Sequence, residues 1–149
     1  MKPEDETNEV YRFFTEVGII NQLISTKLEA FLPGRMTATQ FGILGHLVRR
    51  PEGETPQQLS NAFQVPKTSM THILSSLENH DLVTLEANPN DKRSKIARPT
   101  PQGAEFLKAC MERMSESLAP VLSELGPEPF QESLPNLTLI RETLDSERD

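Results

Sequence analysis

The residues best suited to chemistry in this chain gather in few places. Asn88 to Lys95 reads "NPNDKRSK", with three basic side chains on one short stretch of a chain whose formal net charge at pH 7 is -7. A charged stretch of this kind is either a solvated turn or a point of contact with an anion. Upstream, Lys67, Thr68, Ser69, Thr71, His72 and Ser75 form a short-chained, donor-rich set with no acid before Glu78. Such side chains suit polar edges and phosphates. His46, His72 and His80 are the only histidines and Cys110 the only cysteine. No His, Cys and carboxylate cluster has metal-ligand spacing, so no metal is expected. Nothing in the order of residues pairs a nucleophile with a base and an orienting group. The glycines are scattered and build no phosphate loop. The chain is therefore expected not to be an enzyme and to need no cofactor. Cys110 sits in the apolar run of Phe106, Leu107 and Met111 and reads as a buried, inert thiol.

These residues need elements to hold them. Val10, Phe14, Val17, Ile20, Ile24, Leu28 and Phe31 recur at spacings of three and four, which predicts a long helix broken by "LPGR". Phe13, Ile19 and Leu23 widen its apolar stripe beyond what one neighbouring helix would cover. Thr37 to Gln40 reads as a capping box, and a helix through Phe41, Leu44, Leu47 and Val48 should follow as far as Pro51. "PEGE" reads as a loop. Thr55 to Gln58 is a second capping box, with Pro56 at the first helical position, where no amide hydrogen is needed. A short helix, a turn at Val65 and Pro66, and a second helix come next. The second helix turns Met70, Ile73, Leu74 and Leu77 inward and leaves the donor-rich set for its other faces.

"LVTLEA" (Leu82 to Ala87) alternates from Val83 onward, and "IARPT" (Ile96 to Thr100) is its expected partner strand. The basic stretch then lies at a hairpin tip, with Pro89 and Asn90 as turn residues. Thr100 and Pro101 start a long helix reaching about Leu125, which Pro120 should kink or divide. "GPEP" ends it. Phe130, Leu134, Leu137, Ile140 and Leu144 mark a last helix, interrupted at Pro135.

A helix-turn-helix followed by a basic-tipped hairpin is the winged helix arrangement. Here the sequence resembles the MarR family of bacterial transcriptional regulators over nearly its whole length, most strongly from Thr37 to Gly103. Asp91-Lys92-Arg93-Ser94 matches the family's wing motif, D-x-R followed by Ser or Ala. "TPQG" (Thr100 to Gly103) matches its T-P-x-G start to the long helix. "TSMTHILSSLENHDLV" looks like its recognition helix with the turn that follows, and "TATQFGIL" like its second helix.

The resemblance implies a mainly α-helical winged helix-turn-helix protein with a two-stranded wing and N- and C-terminal dimerisation helices. Residues 1–149 would form a single MarR-like domain. About 37–100 would be the DNA-binding lobe, and about 7–32 and 101–146 the dimerisation helices. The implied partner is double-stranded DNA carrying a pseudo-palindromic operator, bound by a homodimer. The implied contacts come from Lys67, Thr68, Ser69, Thr71, His72 and Ser75 on the recognition helix, and from Asp91, Lys92, Arg93, Ser94 and Lys95 on the wing. In the family the wing aspartate holds the arginine, a role that would fall to Asp91 toward Arg93. A small aromatic or anionic effector would enter a crevice near Phe14, Gly18, Phe41, His46 and Phe106, although each of these taken singly reads first as a core residue.

The sequence departs from the family pattern at Asp81, where glycine is common, at Leu85 and Glu86, where arginines often stand, at His72 for a frequent arginine, and at Pro99 for an aliphatic residue. These departures favour an alternative in modest measure: a winged helix protein-interaction module without DNA binding. Against it stands the sorting of charge. From Lys67 to Arg98 five basic residues face four acids, a net +1, so the remainder of the chain carries -8. Net charge alone disfavours nucleic acid, and any such contact must rest on a local patch. The acidic start has no apolar segment of a signal peptide, and no apolar run approaches the roughly 20 residues of a membrane span. A cytoplasmic repressor, released by its effector, is the expected whole.

Overall fold

The computed structural model describes residues 3–147, in six helices and one two-stranded sheet. The chain forms two compact units, one ending at Glu112 and the other starting at Arg113.

In the first unit α1 runs Pro3–Glu29 and buries only Leu28 among its own residues. Val10, Phe14, Ile20, Leu23 and Ile24 lie exposed along it. A turn leads to α2 (Ala38–Val48), which begins with the expected capping box. The Gln40 amide donates to Thr37 Oγ1 at 3.2 Å, and the Thr37 amide donates to Gln40 Oε1 at 3.0 Å. Glu29 Oε1 also accepts the Ala38 amide at 2.8 Å, which ties the end of α1 to the start of α2. A second capping box, built by Thr55 and Gln58 with Pro56 at the first position, opens α3 (Pro56–Phe63). Gln64 ends α3 in the left-handed conformation (φ 52°), and α4 follows over Lys67–Asn79.

The core lies among these short elements. Ile43, Leu44 and Leu47 of α2, Leu59 of α3, and Met70, Leu74 and Leu77 of α4 are fully buried. Each such side chain is worth roughly 1.5–3 kcal/mol relative to exposure. Val83 joins them from β1 (Val83–Ala87). Asp81 stands at φ 59° in the turn between α4 and β1, a conformation that aspartate tolerates.

β1 pairs antiparallel with β2 (Lys95–Pro99), Leu85 facing Ala97 and Glu86 facing Ile96. The "PEGE" segment is more than a loop. Glu54 forms an isolated bridge to Ala97, donating to its carbonyl at 3.1 Å and accepting from its amide at 2.8 Å. Gly53 makes this approach possible: at φ 86°, a Cβ there would lie 2.6 Å from Ile96 Cγ2 and 2.8 Å from the Ala97 oxygen.

α5 spans Pro101–Leu125 and runs unbroken through Pro120. Leu107 and Cys110 are buried on its part within the first unit, as the sequence predicts for Cys110. The second unit holds the end of α5, a turn at Gly126 (φ 72°) and α6 (Glu128–Ser146). α6 is continuous through Pro135, so the interruption expected there does not divide it. Phe130, Leu134, Leu137, Leu139 and Leu144 are all exposed on it.

Candidate nucleic-acid interface

The polar face of α4 is built by subtraction. Met70, Leu74 and Leu77 face the core at helical spacing, so Lys67, Thr68, Ser69, Thr71, His72 and Ser75 point to solvent. Thr71 Oγ1 donates to the Lys67 carbonyl at 3.0 Å, which commits its proton and leaves its lone pairs to accept. The face therefore offers both donors and acceptors.

The wing tip is shaped by Asp91. Its Oδ1 accepts the Arg93 amide at 3.0 Å, an Asx turn, and approaches Arg93 Nε at 3.4 Å. The amide bond is the firm contact, and the guanidinium bond is long. Asp91 thus fixes the backbone from which Arg93 projects, while the Arg93 side chain is 93% exposed. Asn88 Oδ1 closes the first half of the tip by accepting the Asn90 amide at 3.0 Å.

Between the start of α3, the polar face of α4 and the wing lies a groove of about 810 Å³. Lys67, Thr71 and Ser75 meet Asp91, Arg93, Ser94 and Lys95 along it. Thr68, Ser69 and His72 are exposed on α4 outside the groove, and Lys92 is exposed at the wing tip. Three basic side chains, Lys67, Arg93 and Lys95, face two acids, Glu78 and Asp91. The groove is thus net positive in a chain of charge -7. Arg98 is committed elsewhere: it pairs with Glu86 across the hairpin, and its Nε donates to the Glu52 carbonyl at 3.1 Å.

Sequence reasoning missed several groove residues. Thr55, Pro56 and Gln57 reach it because the turn after α3 folds the start of that helix back beside α4. Glu78 reaches it from the end of α4, and its Oε2 accepts the Leu85 amide at 3.1 Å. An exposed glutamate seven residues from a strand amide leaves no periodic signal. The histidines lie apart in role. His46 Nε2 meets Glu54 Oε2 at 2.9 Å and its ring stacks edge-on against Phe63. His80 Nδ1 meets the Ser76 carbonyl at 2.8 Å. Among the described residues no three His, Cys, Asp or Glu side chains could hold a metal ion, and no helix is long and apolar enough to cross a membrane.

A groove that joins an acid-poor helix face to an arginine-tipped hairpin is the geometry of a winged helix. Comparison with other proteins gives the same result. A family model described as the MarR family matches residues 36–94. The multiple antibiotic resistance protein MarR of Salmonella typhimurium is 30% identical over 115 residues, covering 76% of this chain and 79% of that protein. The crystal structure of Escherichia coli MarR superposes with a TM-score of 0.71 at 25% identity, over 85% of this chain and 94% of that one. Staphylococcus aureus MepR in complex with DNA superposes with a TM-score of 0.64, also at 25% identity, over 90% of this chain and 96% of that one. On its sequence and on its fold alike, this chain belongs to the MarR family.

Proposed function

We propose that this protein is a sequence-specific DNA-binding transcriptional regulator. It acts in the cytoplasm as a homodimeric repressor and leaves DNA when a small aromatic or anionic effector binds. One observation carries the reading above the others: the polar face of α4 and the Arg93 tip of the wing open onto one net-positive groove. α4 would enter the major groove, where short donor side chains and the accepting lone pairs of Thr71 read base edges. Arg93, projected by the Asp91 turn, would enter the adjacent minor groove, whose negative potential attracts a guanidinium. Lys92 and Lys95 would meet phosphate. Sorting the excess acid onto the rest of the chain would keep other surfaces off the duplex. The chain would be one functional domain, with residues of about 37–100 contacting DNA and about 7–32 and 101–146 joining the subunits. The exposed apolar stripes of α1 and α6 would pack across a two-fold axis, setting two recognition helices roughly 34 Å apart, one DNA turn. The similarity to S. aureus MepR, whose structure was solved in complex with DNA, supports contact with a duplex.

The test is a titration of wild type, Arg93→Ala and Lys95→Ala against operator and scrambled duplex at two salt concentrations. The operator is obtained by selecting bound fragments from the source genome. Arg93→Ala should weaken operator binding by about 1–3 kcal/mol. Lys95→Ala should weaken both duplexes about equally and flatten the salt dependence by roughly one phosphate contact. Wild-type binding of operator by Arg93→Ala would remove the wing from the reading. Failure of the wild type to select any fragment would favour a protein-interaction module.

A further inference from the structure

We infer that Glu78 is a positioning residue for DNA binding: its carboxylate clamps the free edge of the wing to the recognition helix. The inference rests on the DNA-binding reading and concerns how the groove keeps its shape. It begins with the register of the hairpin. Ala97 spends its amide and its carbonyl on Glu54. Leu85, opposite Ala97, therefore belongs to a non-hydrogen-bonded pair, and its own amide and carbonyl point away from β2. The flanking bonds agree, since the Asn88 amide donates to the Ser94 carbonyl and the Thr100 amide to the Leu82 carbonyl. An outward strand amide is left to water or to a side-chain acceptor, and Glu78 Oε2 supplies the latter at 3.1 Å from the last turn of α4.

The wing is thus held on both edges. On the β2 side the Glu54 bridge and the bond from Arg98 to the Glu52 carbonyl attach it to the segment before α3. On the β1 side Glu78 attaches it to the helix that lines the other wall of the groove. Without Glu78 the hairpin could swing about its β2 edge and carry Arg93 away from α4. Glu78 also lines the groove, and by charge alone a carboxylate there repels a phosphate backbone. Charge and clamp therefore predict opposite signs on its removal.

The experiment uses the full chain and the operator selected by the wild type. Glu78→Ala should bind operator about tenfold more weakly, because the affinity falls with the fraction of molecules whose wing is in place. Glu78→Gln keeps an oxygen acceptor without the charge and should bind within about twofold of wild type. Arg93→Ala should cost less in the Glu78→Ala background than in wild type, since a displaced wing has already lost that contact. Without DNA, hydrogen exchange at the Leu85 amide should quicken in Glu78→Ala and stay slow in Glu78→Gln. Unchanged or tighter operator binding by Glu78→Ala, or an undiminished cost of Arg93→Ala in that background, would overturn the clamp while leaving the DNA-binding reading intact. A wild type that binds no duplex would bring down both.

Discussion

Gly103 stands where α5 starts against the turn that closes α4, and replacing it with alanine tests that junction. A Cβ at Gly103 would sit 2.1 Å from the Leu82 carbonyl oxygen and 3.2 Å from Leu44 Cδ1. Ordinary contact needs more than 3 Å, so the Leu82 carbonyl must retreat by about 1 Å. It is not free to do so. Leu82 O accepts the Thr100 amide at 3.1 Å, and Thr100 Oγ1 donates to the Asp81 carbonyl at 2.6 Å while accepting the Gly103 amide at 2.9 Å. Breaking two of these bonds costs about 0.5–1.5 kcal/mol each. Overpacking against Leu44 adds about 1 kcal/mol. Alanine's helix propensity returns up to about 1 kcal/mol. Gly103→Ala should therefore lose about 1–4 kcal/mol. Gly42→Ala is the control: its Cβ would meet only Phe63 Cε1, at 3.7 Å, inside α2, so it should be neutral or gain up to about 1 kcal/mol. Urea unfolding followed by helix circular dichroism, at one protein concentration for all variants, reads both. Equal stability of Gly103→Ala and wild type would refute the junction, and a loss of similar size in Gly42→Ala would show that the effect is not local.

Cys110→Ser should lower the melting temperature slightly and leave operator affinity unchanged in reducing and mildly oxidising buffer, because the thiol is buried on α5. Peroxide-dependent release of DNA that disappears in the variant would contradict this. Sedimentation at micromolar concentration should give a dimer, and truncation before Glu128 should abolish it. A stable monomer with α1 and α6 both ordered would mean that their exposed apolar stripes serve something else.

Much of this architecture is legible in the sequence because its signals are local. Thr37 with Gln40 and Thr55 with Gln58 announce two helix starts through atoms three residues apart, and both boxes are present. The apolar spacing of Met70, Leu74 and Leu77 sets which face of α4 is left polar. The family resemblance implies that Asp91 holds the Arg93 guanidinium, but the firm bond goes to the Arg93 amide. What stays hidden depends on contacts between distant backbones. Glu54 pairs as a single bridge, too short for any alternation to show, and Glu78 finds an amide whose direction only the register decides. The prolines divide neither helix. Pro120 and Pro135 each delete one amide hydrogen bond, yet α5 and α6 have enough remaining turns to run through them.

Pro99 has a consequence of its own. It sits two residues past Ala97, so its nitrogen faces the same outer side of β2, away from β1. Having no hydrogen there, it costs the hairpin no ladder bond, and it gives a foreign strand nothing to accept. Lys95 stands at the other end of that edge with a charged side chain, and Ala97 between them is already covered by Glu54. The opposite edge has its Leu85 amide occupied by Glu78. A two-stranded sheet in solution is a template for edge-to-edge growth, and this one has several of its open positions stopped. These stops lower the tendency of the wing to pair edge to edge with another molecule.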